Sequence, residues 1–232
     1  MEHTVGTFYG VSVGPGDPEL LTLKAVRCIE QCPVLAAPRT AEGRMLALEI
    51  VKDAVDVSGK TILPLQFAMS RDADTLRASH EAAAGAVREA LDAGQDVAML
   101  NLGDVSIYAT YGYLEEILKA QGYPTARIAV VPSFCAAAAA LGRSLTDGME
   151  APLTLAPGRH AEQVLDAPGA KVLMKSGRQL PAALAALRQR GLLEKSAMAC
   201  NCGLPEQTLW PDLSSYDPAR PAGYFTTIIV KE

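Results

Sequence analysis

The fold is decided by residues 97–113, which have the sequence VAMLNLGDVSIYATYGY. The apolar run Val97 to Leu100 is typical of a buried strand, and a helical pattern starts near Tyr113. The Gly103-Asp104 loop follows the strand directly. In an open parallel sheet such loops lie at the carboxyl ends of the strands, where ligands bind. The segment predicts an α/β fold with a small-molecule site, although a capping Asp104 followed by core tyrosines is the alternative.

A second loop of the same kind lies near the N-terminus, where residues 11–13 lead into residues 14–19, GPGDPE. Asp17 is well placed to cap the next helix, with Pro18 at its first position. The loop is not the dinucleotide fingerprint, because residue 19 is Glu, and no Gly-Lys-Ser/Thr follows. A tight turn with a capping Asp explains this loop equally well when it is taken alone. Two such loops in one chain favour a ligand site.

Length and charge limit the possible classes of protein. A chain of 232 residues holds one large domain or two of about 100 residues each. The net charge of −5 argues against nucleic-acid binding, which needs a basic surface. No apolar run approaches the ~18 residues of a membrane span, and the first residues do not resemble a signal peptide. We therefore expect a cytoplasmic protein that binds neither nucleic acid nor a membrane.

The first half of the chain alternates between strand and helix patterns. Strands are predicted over residues 8–13, 34–37, 61–65 and 96–102, and helices over residues 18–32, 41–54, 72–93 and 113–121. This order implies a mostly parallel sheet with helices on both faces.

The second half is less regular. Strands are predicted over residues 127–131, 171–175, 197–201 and 224–230, and helices over residues 133–141 and 179–190. The prolines before the last strand favour turns and hairpins, and therefore a mixed sheet. We place a boundary near residues 122–130, which gives two α/β domains over residues 1–125 and 126–232.

The sequence contains no recognisable metal or nucleophile motif. The five cysteines are Cys28, Cys32, Cys135, Cys200 and Cys202. Their spacing favours small buried thiols in a reducing compartment over a metal or redox site. His3, His80 and His160 are isolated, and neither a His-x-x-x-His pair nor a Gly-x-Ser-x-Gly elbow occurs. We expect no protein-bound metal. The segment Lys175–Arg178 follows a predicted strand, where it is either an anion site or a solvated turn.

Three segments resemble the tetrapyrrole (corrin and porphyrin) methyltransferases. They are residues 13–22 (VGPGDPELLT), residues 103–111 (GDVSIYATY) and residues 133–138 (SFCAAA). The first is widespread in the superfamily. The other two are more specific to the branch that methylates C(20) of precorrin-2 or cobalt-factor II in cobalamin biosynthesis. The resemblance extends from Gly6 to the last predicted strand.

The resemblance implies two α/β domains with an S-adenosylmethionine site in the cleft between them, usually in a homodimer. It assigns cofactor binding to Leu102, Gly103, Asp104, Ile107, Tyr108, Ser133, Phe134, Met174, Asn201, Cys202, Thr226 and Thr227. It also implies that the loop of Gly14, Pro15, Gly16 and Asp17 faces the tetrapyrrole. In one departure from the family pattern, Ala129-Val130 replaces the usual Pro-Gly, so we expect a differently shaped turn there.

The chemistry agrees with the absence of an acid/base pair. S-adenosylmethionine carries its own reactive methyl group and the meso carbon is the nucleophile, so catalysis consists mainly of positioning and exclusion of water. A base must still remove the meso proton, and Tyr108, Tyr224 and Asp17 are the candidates. The acceptor carboxylates require cations. The candidates for that role are Arg39, Arg44, Lys175 and Arg178.

Two alternatives to C(20) methylation stay open. The first is another methyltransferase of the same superfamily, which would make diphthine on a protein or methylate ribose in RNA. The acidic balance and residues 106–111 argue against it. The second is a non-catalytic sensor of tetrapyrroles or nucleotides, which the presence of both glycine loops disfavours.

Overall fold

The computed structural model describes residues 4–219 and 222–231, so that His3 lies outside the described residues. The chain divides into two compact units between Val131 and Pro132. The described part of the first unit has the strands β1 (Phe8–Ser12), β2 (Val34–Pro38), β3 (Thr61–Leu65), β4 (Val97–Asn101) and β5 (Thr125–Ile128), and the α-helices α1 (Leu23–Gln31), α2 (Leu46–Lys52), α3 (Ala73–Asp92) and α4 (Tyr111–Ala120).

The first sheet has the strand order β3-β2-β4-β1-β5. All its pairings are parallel, which confirms the α/β prediction for this half. The chain leaves β1 toward β2 on one side and leaves β4 toward β5 on the other. The connections therefore change direction between β1 and β4, and the carboxyl ends of these two strands form the switch point at which α/β sheets bind ligands.

The core of the first unit is closed by Tyr111, the first residue of α4. Its ring stacks on Phe8 with 4.9 Å between the ring centroids, and its hydroxyl donates to the carbonyl oxygen of Ala126 at 3.0 Å. A Cβ on Gly10 would lie only 2.7 Å from the Tyr111 ring. Gly10 thus allows Tyr111 to pack directly on β1, and Tyr111 is a core residue as the alternative interpretation of the tyrosines expected.

The second unit contains the strands β6 (Leu153–Pro157), β7 (Ala170–Met174), β8 (Ser196–Cys200), β9 (Thr208–Trp210) and β10 (Thr226–Val230), with the helices α5 (Ser133–Ala140), α6 (Ala161–Val164) and α7 (Leu180–Gln189) in its described residues. Its strand order is β6-β7-β10-β8-β9. The pair β6–β7 is parallel and the other pairs are antiparallel. The sheet is therefore mixed, as predicted.

The two faces of the second sheet are covered by different helices. One apolar cluster joins Leu173, Met198 and Ile228 of the sheet to α6 and α7. Helix α5 contacts β8 and β10, but none of its residues belongs to that cluster. Since neighbouring residues of a strand point to opposite faces, we place α5 on the other face.

Two predicted helices start later than expected. The pattern over residues 18–32 is split into a 3-10 turn, Pro18–Leu20, and α1. The split occurs because Thr22 is in an extended conformation and caps α1 by accepting from the amide of Ala25 at 3.2 Å. The helix predicted from residue 41 begins at Leu46, because residues 40–44 form a turn. In this turn the Thr40 amide donates to the Arg44 carbonyl at 2.9 Å, and the Arg44 amide donates to the Thr40 hydroxyl at 3.2 Å.

The division between the units lies after the boundary predicted at residue 125. Strand β5 pairs with β1 and so belongs to the first sheet, whereas the strand predicted over residues 127–131 was placed in the second domain. Strands β6 and β9, the two edges of the second sheet, were not predicted. No helix in the part of the chain that the structure describes is long and apolar enough to cross a membrane.

Candidate functional site

The two glycine loops meet at the switch point of the first sheet. The Gly103 amide donates to the Gly14 carbonyl at 2.7 Å, and the Val13 amide donates to the Asn101 carbonyl at 2.9 Å. Both glycines have positive φ, 78° for Gly14 and 77° for Gly103. A Cβ on Gly103 would meet no atom within 4 Å. Glycine is favoured at residue 103 by its backbone conformation, and the space beside it is open.

Asp104 holds this loop together. Its side chain is buried, and Oδ1 accepts from the amide of Ser106 at 2.9 Å and from the Ser106 hydroxyl. Oδ2 accepts from the amide of Val130 at 3.1 Å and from the hydroxyl of Ser12 at 3.5 Å. The Ser12 hydroxyl also accepts from the amide of Val105 at 2.8 Å. Asp104 therefore joins β1, its own loop and the turn at Ala129-Val130.

The Asp104 carboxylate is ionised at neutral pH. Burial disfavours its charge, but hydrogen bonds from Ser106, Val130 and Ser12 outweigh burial and lower its pKa. A carboxylate in such a loop could bind a ligand hydroxyl or a cation. In the structure its oxygens serve the loop itself. Ser12 was missed as a site residue, although a polar side chain at the end of an apolar strand is a detectable signal.

Three residues with strained backbones lie in the predicted site segments. Tyr108, Lys175 and Asn201 are the non-glycine residues with positive φ among those described, at 50°, 52° and 50°. Such a conformation costs roughly 1–3 kcal/mol per residue and is concentrated at ligand sites. All three were assigned to cofactor, substrate or proton-transfer roles from the sequence. The strain is an independent sign that these loops are shaped for function.

Backbone hydrogen bonds connect the loops at the strand ends of the second unit. The Ser176 amide donates to the Thr226 carbonyl at 3.0 Å, and the Asn201 amide donates to the Phe225 carbonyl at 2.9 Å. A Cβ on Gly223 would lie 2.5 Å from the Asn201 side-chain amide. The loops after β7 and β8 are thereby joined to the segment before β10. This cluster contains or adjoins the predicted site residues Met174, Lys175, Arg178, Asn201, Cys202 and Tyr224.

The two predicted threonines have different surroundings. The Thr226 hydroxyl donates to the Gly223 carbonyl at 2.5 Å and lies 3.1 Å from the Cys200 sulfur. Thr226 shares the face of Ile228, which α6 and α7 cover. Thr227 pairs with Ala199 and lies on the opposite face of the sheet, which α5 covers. Met174 lies on the same face as Thr227. The structure therefore brings Met174 and Thr227 to the face of the helix that begins with Ser133 and Phe134, and gives Thr226 a loop-closing role.

The three candidates for proton removal have different roles in the structure. Tyr108 and Tyr224 are 45% and 52% exposed. Asp17 accepts from the amide of Glu19 at 2.9 Å and caps the turn after the first loop. One of its carboxylate oxygens thus has a structural partner.

The predicted cations lie near strand ends in both units. Arg39 is exposed and follows β2, and Arg178 is exposed in a 3-10 turn after β7. Arg44 forms an ion pair with Glu49 at 2.8 Å, which competes with any ligand carboxylate. Lys175 is an exposed residue. Partial desolvation of its ammonium group nevertheless lowers the pKa of that group, and the positive charge of Arg159 lowers the pKa further.

The cysteines and His80 were also singled out in the sequence. Cys28, Cys32 and Cys200 are buried, and Cys135 and Cys202 are half-buried. The His80 ring stacks on Tyr113 with 4.5 Å between the centroids. Within residues 4–219 and 222–231, no group of three or more His, Cys, Asp or Glu side chains could hold a metal ion.

Comparison with known proteins gives a consistent result. The family model of the Tetrapyrrole (Corrin/Porphyrin) Methylases matches residues 7–215. The chain is 32% identical to the cobalt-precorrin-2 C(20)-methyltransferase of Salmonella typhimurium, over 98% of this chain and 97% of that protein. It is 31% identical to the precorrin-2 C(20)-methyltransferase of a Sinorhizobium species, over 97% of this chain and 95% of that protein.

The fold is also similar to that of a solved structure, the uroporphyrin-III C-methyltransferase of Thermus thermophilus in complex with S-adenosylhomocysteine. The TM-score is 0.65 at 19% identity, and the match covers 98% of each chain. Because the family model and the two relatives each span most of the sequence, the chain belongs to the tetrapyrrole (corrin/porphyrin) methylases.

Proposed function

We propose that this protein transfers a methyl group from S-adenosylmethionine to the C(20) meso carbon of precorrin-2 or of cobalt-factor II in cobalamin biosynthesis. The observation that carries the proposal is the similarity along almost the whole chain to two enzymes named for this position of the macrocycle. One relative is named for a cobalt-containing acceptor and the other for precorrin-2. The two forms of the acceptor therefore both belong in the test.

The residues at the switch point fit S-adenosylmethionine. Gly103 leaves open space beside its backbone, and the rigid hydrogen bonds of Asp104 fix the loop that borders that space. Ile107 is half-buried there and offers apolar surface. When bound, S-adenosylmethionine supplies an electrophilic methyl group on a sulfonium. The chain itself has to hold both reactants in line and exclude water, which can contribute several kcal/mol to catalysis.

The same proposal assigns the other predicted residues. In the first unit the cofactor contacts are proposed for Leu102, Gly103, Ile107 and Tyr108, and Asp104 acts on the cofactor through the loop that its hydrogen bonds fix. In the second unit this role falls to Ser133, Phe134, Met174, Asn201, Cys202 and Thr227, while Thr226 closes the loop before β10. Gly14, Pro15 and Gly16 face the tetrapyrrole.

Two tyrosines are proposed to act on the meso proton. A meso carbon that has accepted a methyl group must lose its proton, and an accessible hydroxyl can assist that loss or stabilise charge on the macrocycle. Tyr108 and Tyr224 are both exposed residues. Asp17 is the next candidate, with one oxygen already engaged as a cap. The alternative role for both tyrosines is to shape the cofactor pocket.

The acceptor carboxylates require positive partners in a protein with a net charge of −5. Arg39, Lys175 and Arg178 are proposed for this role because each follows a strand end. Arg44 is the weakest of the four candidates, since Glu49 already binds its guanidinium.

A cytoplasmic location and a homodimeric state are part of the same proposal. All five cysteines are free thiols, which favours a reducing compartment. The homodimer rests on the family resemblance. Light scattering coupled to size-exclusion chromatography measures the mass in solution, and a mass near 24.5 kDa would contradict the dimer.

The decisive experiment is a methyl-transfer assay with labelled S-adenosylmethionine. The protein is incubated anaerobically with precorrin-2, with cobalt-factor II, and with a protein or RNA acceptor as controls for the rest of the superfamily. We expect mass spectrometry to show one added methyl group on a tetrapyrrole, and NMR to place the label on C(20). A label at another position of the macrocycle, or on the macromolecular acceptors alone, would refute the proposal.

A further inference from the structure

The parallel strands β6 and β7 bring two basic residues together at their carboxyl ends. The register pairs Pro157 with Met174, so the next residues of both strands, Gly158 and Lys175, also lie side by side. A Cβ on Gly158 would lie 2.5 Å from the Ser176 hydroxyl. Only glycine allows this close approach, and it places Arg159 beside the turn that contains Lys175.

One nitrogen of the Arg159 guanidinium group donates a hydrogen bond within the described residues. Its Nε donates to His160 Nε2 at 3.0 Å, and His160 Nδ1 lies 2.7 Å from Gln163 Oε1. In the tautomer whose Nε2 accepts from Arg159, Nδ1 donates to Gln163 Oε1. No carboxylate among residues 4–219 and 222–231 forms an ion pair with Arg159.

Lys175 is held in an unfavourable state in two respects. Its φ of 52° is a conformation that a residue with a Cβ rarely adopts. In addition, desolvation lowers the pKa of its ammonium group, and the nearby positive charge of Arg159 lowers it further. An anion placed between the two groups would be attracted by both charges.

We propose that Arg159 and Lys175 together bind one carboxylate of the tetrapyrrole acceptor. The inference rests on the proposed function for the identity of the ligand. Arginine presents a planar fork that matches a carboxylate, and lysine adds a point charge from the neighbouring strand. Arg178, in the adjoining 3-10 turn, supplies additional positive charge. Arg159 was not among the predicted cations, because β6 was not predicted and Arg159 therefore followed no predicted strand end.

S-adenosylmethionine also has a carboxylate, so the experiment must separate the two sources. Binding is measured for the wild type and for Arg159→Gln, Lys175→Gln and the double variant. One probe is a stable porphyrin with eight carboxylates, followed by fluorescence quenching. The other is S-adenosylhomocysteine, followed by calorimetry. The matched control is Arg188→Gln, which removes the same charge from an exposed position of α7.

We expect each single variant to weaken porphyrin binding by about tenfold to a hundredfold, the range of one charge-assisted hydrogen bond. The double variant should lose less than the product of the two single effects, because both residues bind one group. Affinity for S-adenosylhomocysteine should stay within twofold in all variants, and Arg188→Gln should resemble the wild type with both probes. Arg159→Lys should be intermediate, since it keeps the charge and loses the fork.

Unchanged porphyrin affinity in both single variants would overturn the assignment, as would a wild type that does not bind the porphyrin. If the variants lose affinity for S-adenosylhomocysteine but keep their affinity for the porphyrin, the two residues bind the cofactor carboxylate. That result would also overturn the assignment. The methyl-transfer assay separates this result from failure of the proposed function. Porphyrin binding that depends on the pair, without methylation at C(20), would refute the function and leave the carboxylate site intact.

Discussion

Replacing Asp104 by Asn tests whether this carboxylate organises the candidate cofactor loop. Asn has the same shape, but it exchanges one carboxylate oxygen for an NH₂ group. The amide and hydroxyl of Ser106 bind one oxygen, and the amide of Val130 and the hydroxyl of Ser12 bind the other. If the Asn oxygen keeps the hydrogen bonds from Ser106, the NH₂ group faces the N–H of Val130. Both of these groups are donors, so the hydrogen bond to Val130 is lost.

The cost follows from these contacts. Leaving a buried N–H without an acceptor costs about 1–3 kcal/mol, and the remaining hydrogen bonds lose the assistance of a charge. We therefore expect Asp104→Asn to lower the free energy of unfolding by about 2–3 kcal/mol. In a chain of this size that corresponds to a fall in melting temperature of roughly 4–12 °C. We also expect affinity for S-adenosylhomocysteine to fall at least tenfold, because the loop loses its anchor.

The effect has a defined pH dependence. The pKa of Asp104 in the folded protein lies below its ordinary value of 3.8. A group with a depressed folded pKa contributes its full stability above the unfolded pKa and loses it as pH falls toward the folded pKa. The difference in unfolding free energy between wild type and Asp104→Asn should thus be constant from about pH 5 to 8 and shrink below about pH 4.

The assay is urea unfolding at several pH values, with calorimetric titration of the folded variant. Asp56→Asn is the matched control, because the exposed Asp56 carboxylate also accepts from the amide and the hydroxyl of the residue two positions later, Ser58, although through two different oxygens. The control should leave the stability close to that of the wild type, as is usual for a substitution at an exposed position. If Asp104→Asn is no more destabilising than Asp56→Asn, the carboxylate does not organise this loop.

Three further predictions concern binding and turnover. Gly103→Val should abolish binding of S-adenosylmethionine, and unchanged affinity of a variant that circular dichroism shows to be folded would remove this loop from the site. Arg39→Ala and Arg178→Ala should each raise the acceptor KM by the equivalent of about 1.5–3 kcal/mol with cofactor affinity near wild type; wild-type KM in both would show that these cations are wrongly placed. Tyr108→Phe and Tyr224→Phe keep the ring and remove the hydroxyl, so a chemical role predicts a tenfold or greater loss of kcat in steady-state assays, whereas wild-type rates in both would transfer proton removal to Asp17 or to solvent.

The central strands were predictable because burial on both faces leaves a continuous apolar run. Strands β2 and β4 are buried along almost their whole length, and parallel strands of this kind are recognised from composition alone. The edge strands of the second sheet lack this signal. Strand β6 is half-buried and ends in Pro157, and β9 has three residues. The turn that contains Arg159 therefore had no recognisable signature in the sequence.

The start of α1 shows where local signals compete. Asp17 and Thr22 are both good capping residues, and the apolar spacing is compatible with a helix from either. Asp17 caps only a single turn. Thr22 caps α1 and also donates to the Ala129 carbonyl at 3.3 Å, a contact 107 residues away along the chain. Tertiary structure decided between two caps that local sequence could not rank.

The two threonines of β10 show why the site could be located but not resolved into roles. The resemblance assigned both Thr226 and Thr227 to the cofactor, and adjacent residues of a strand necessarily point to opposite faces. Which of them faces α5 depends on the register with β8, in which Thr227 pairs with Ala199. That register is set by a strand separated from β10 by a proline-rich segment, so it has no local signature. Strand ends indicate where a ligand can bind, and only the pairing shows which side chains reach it.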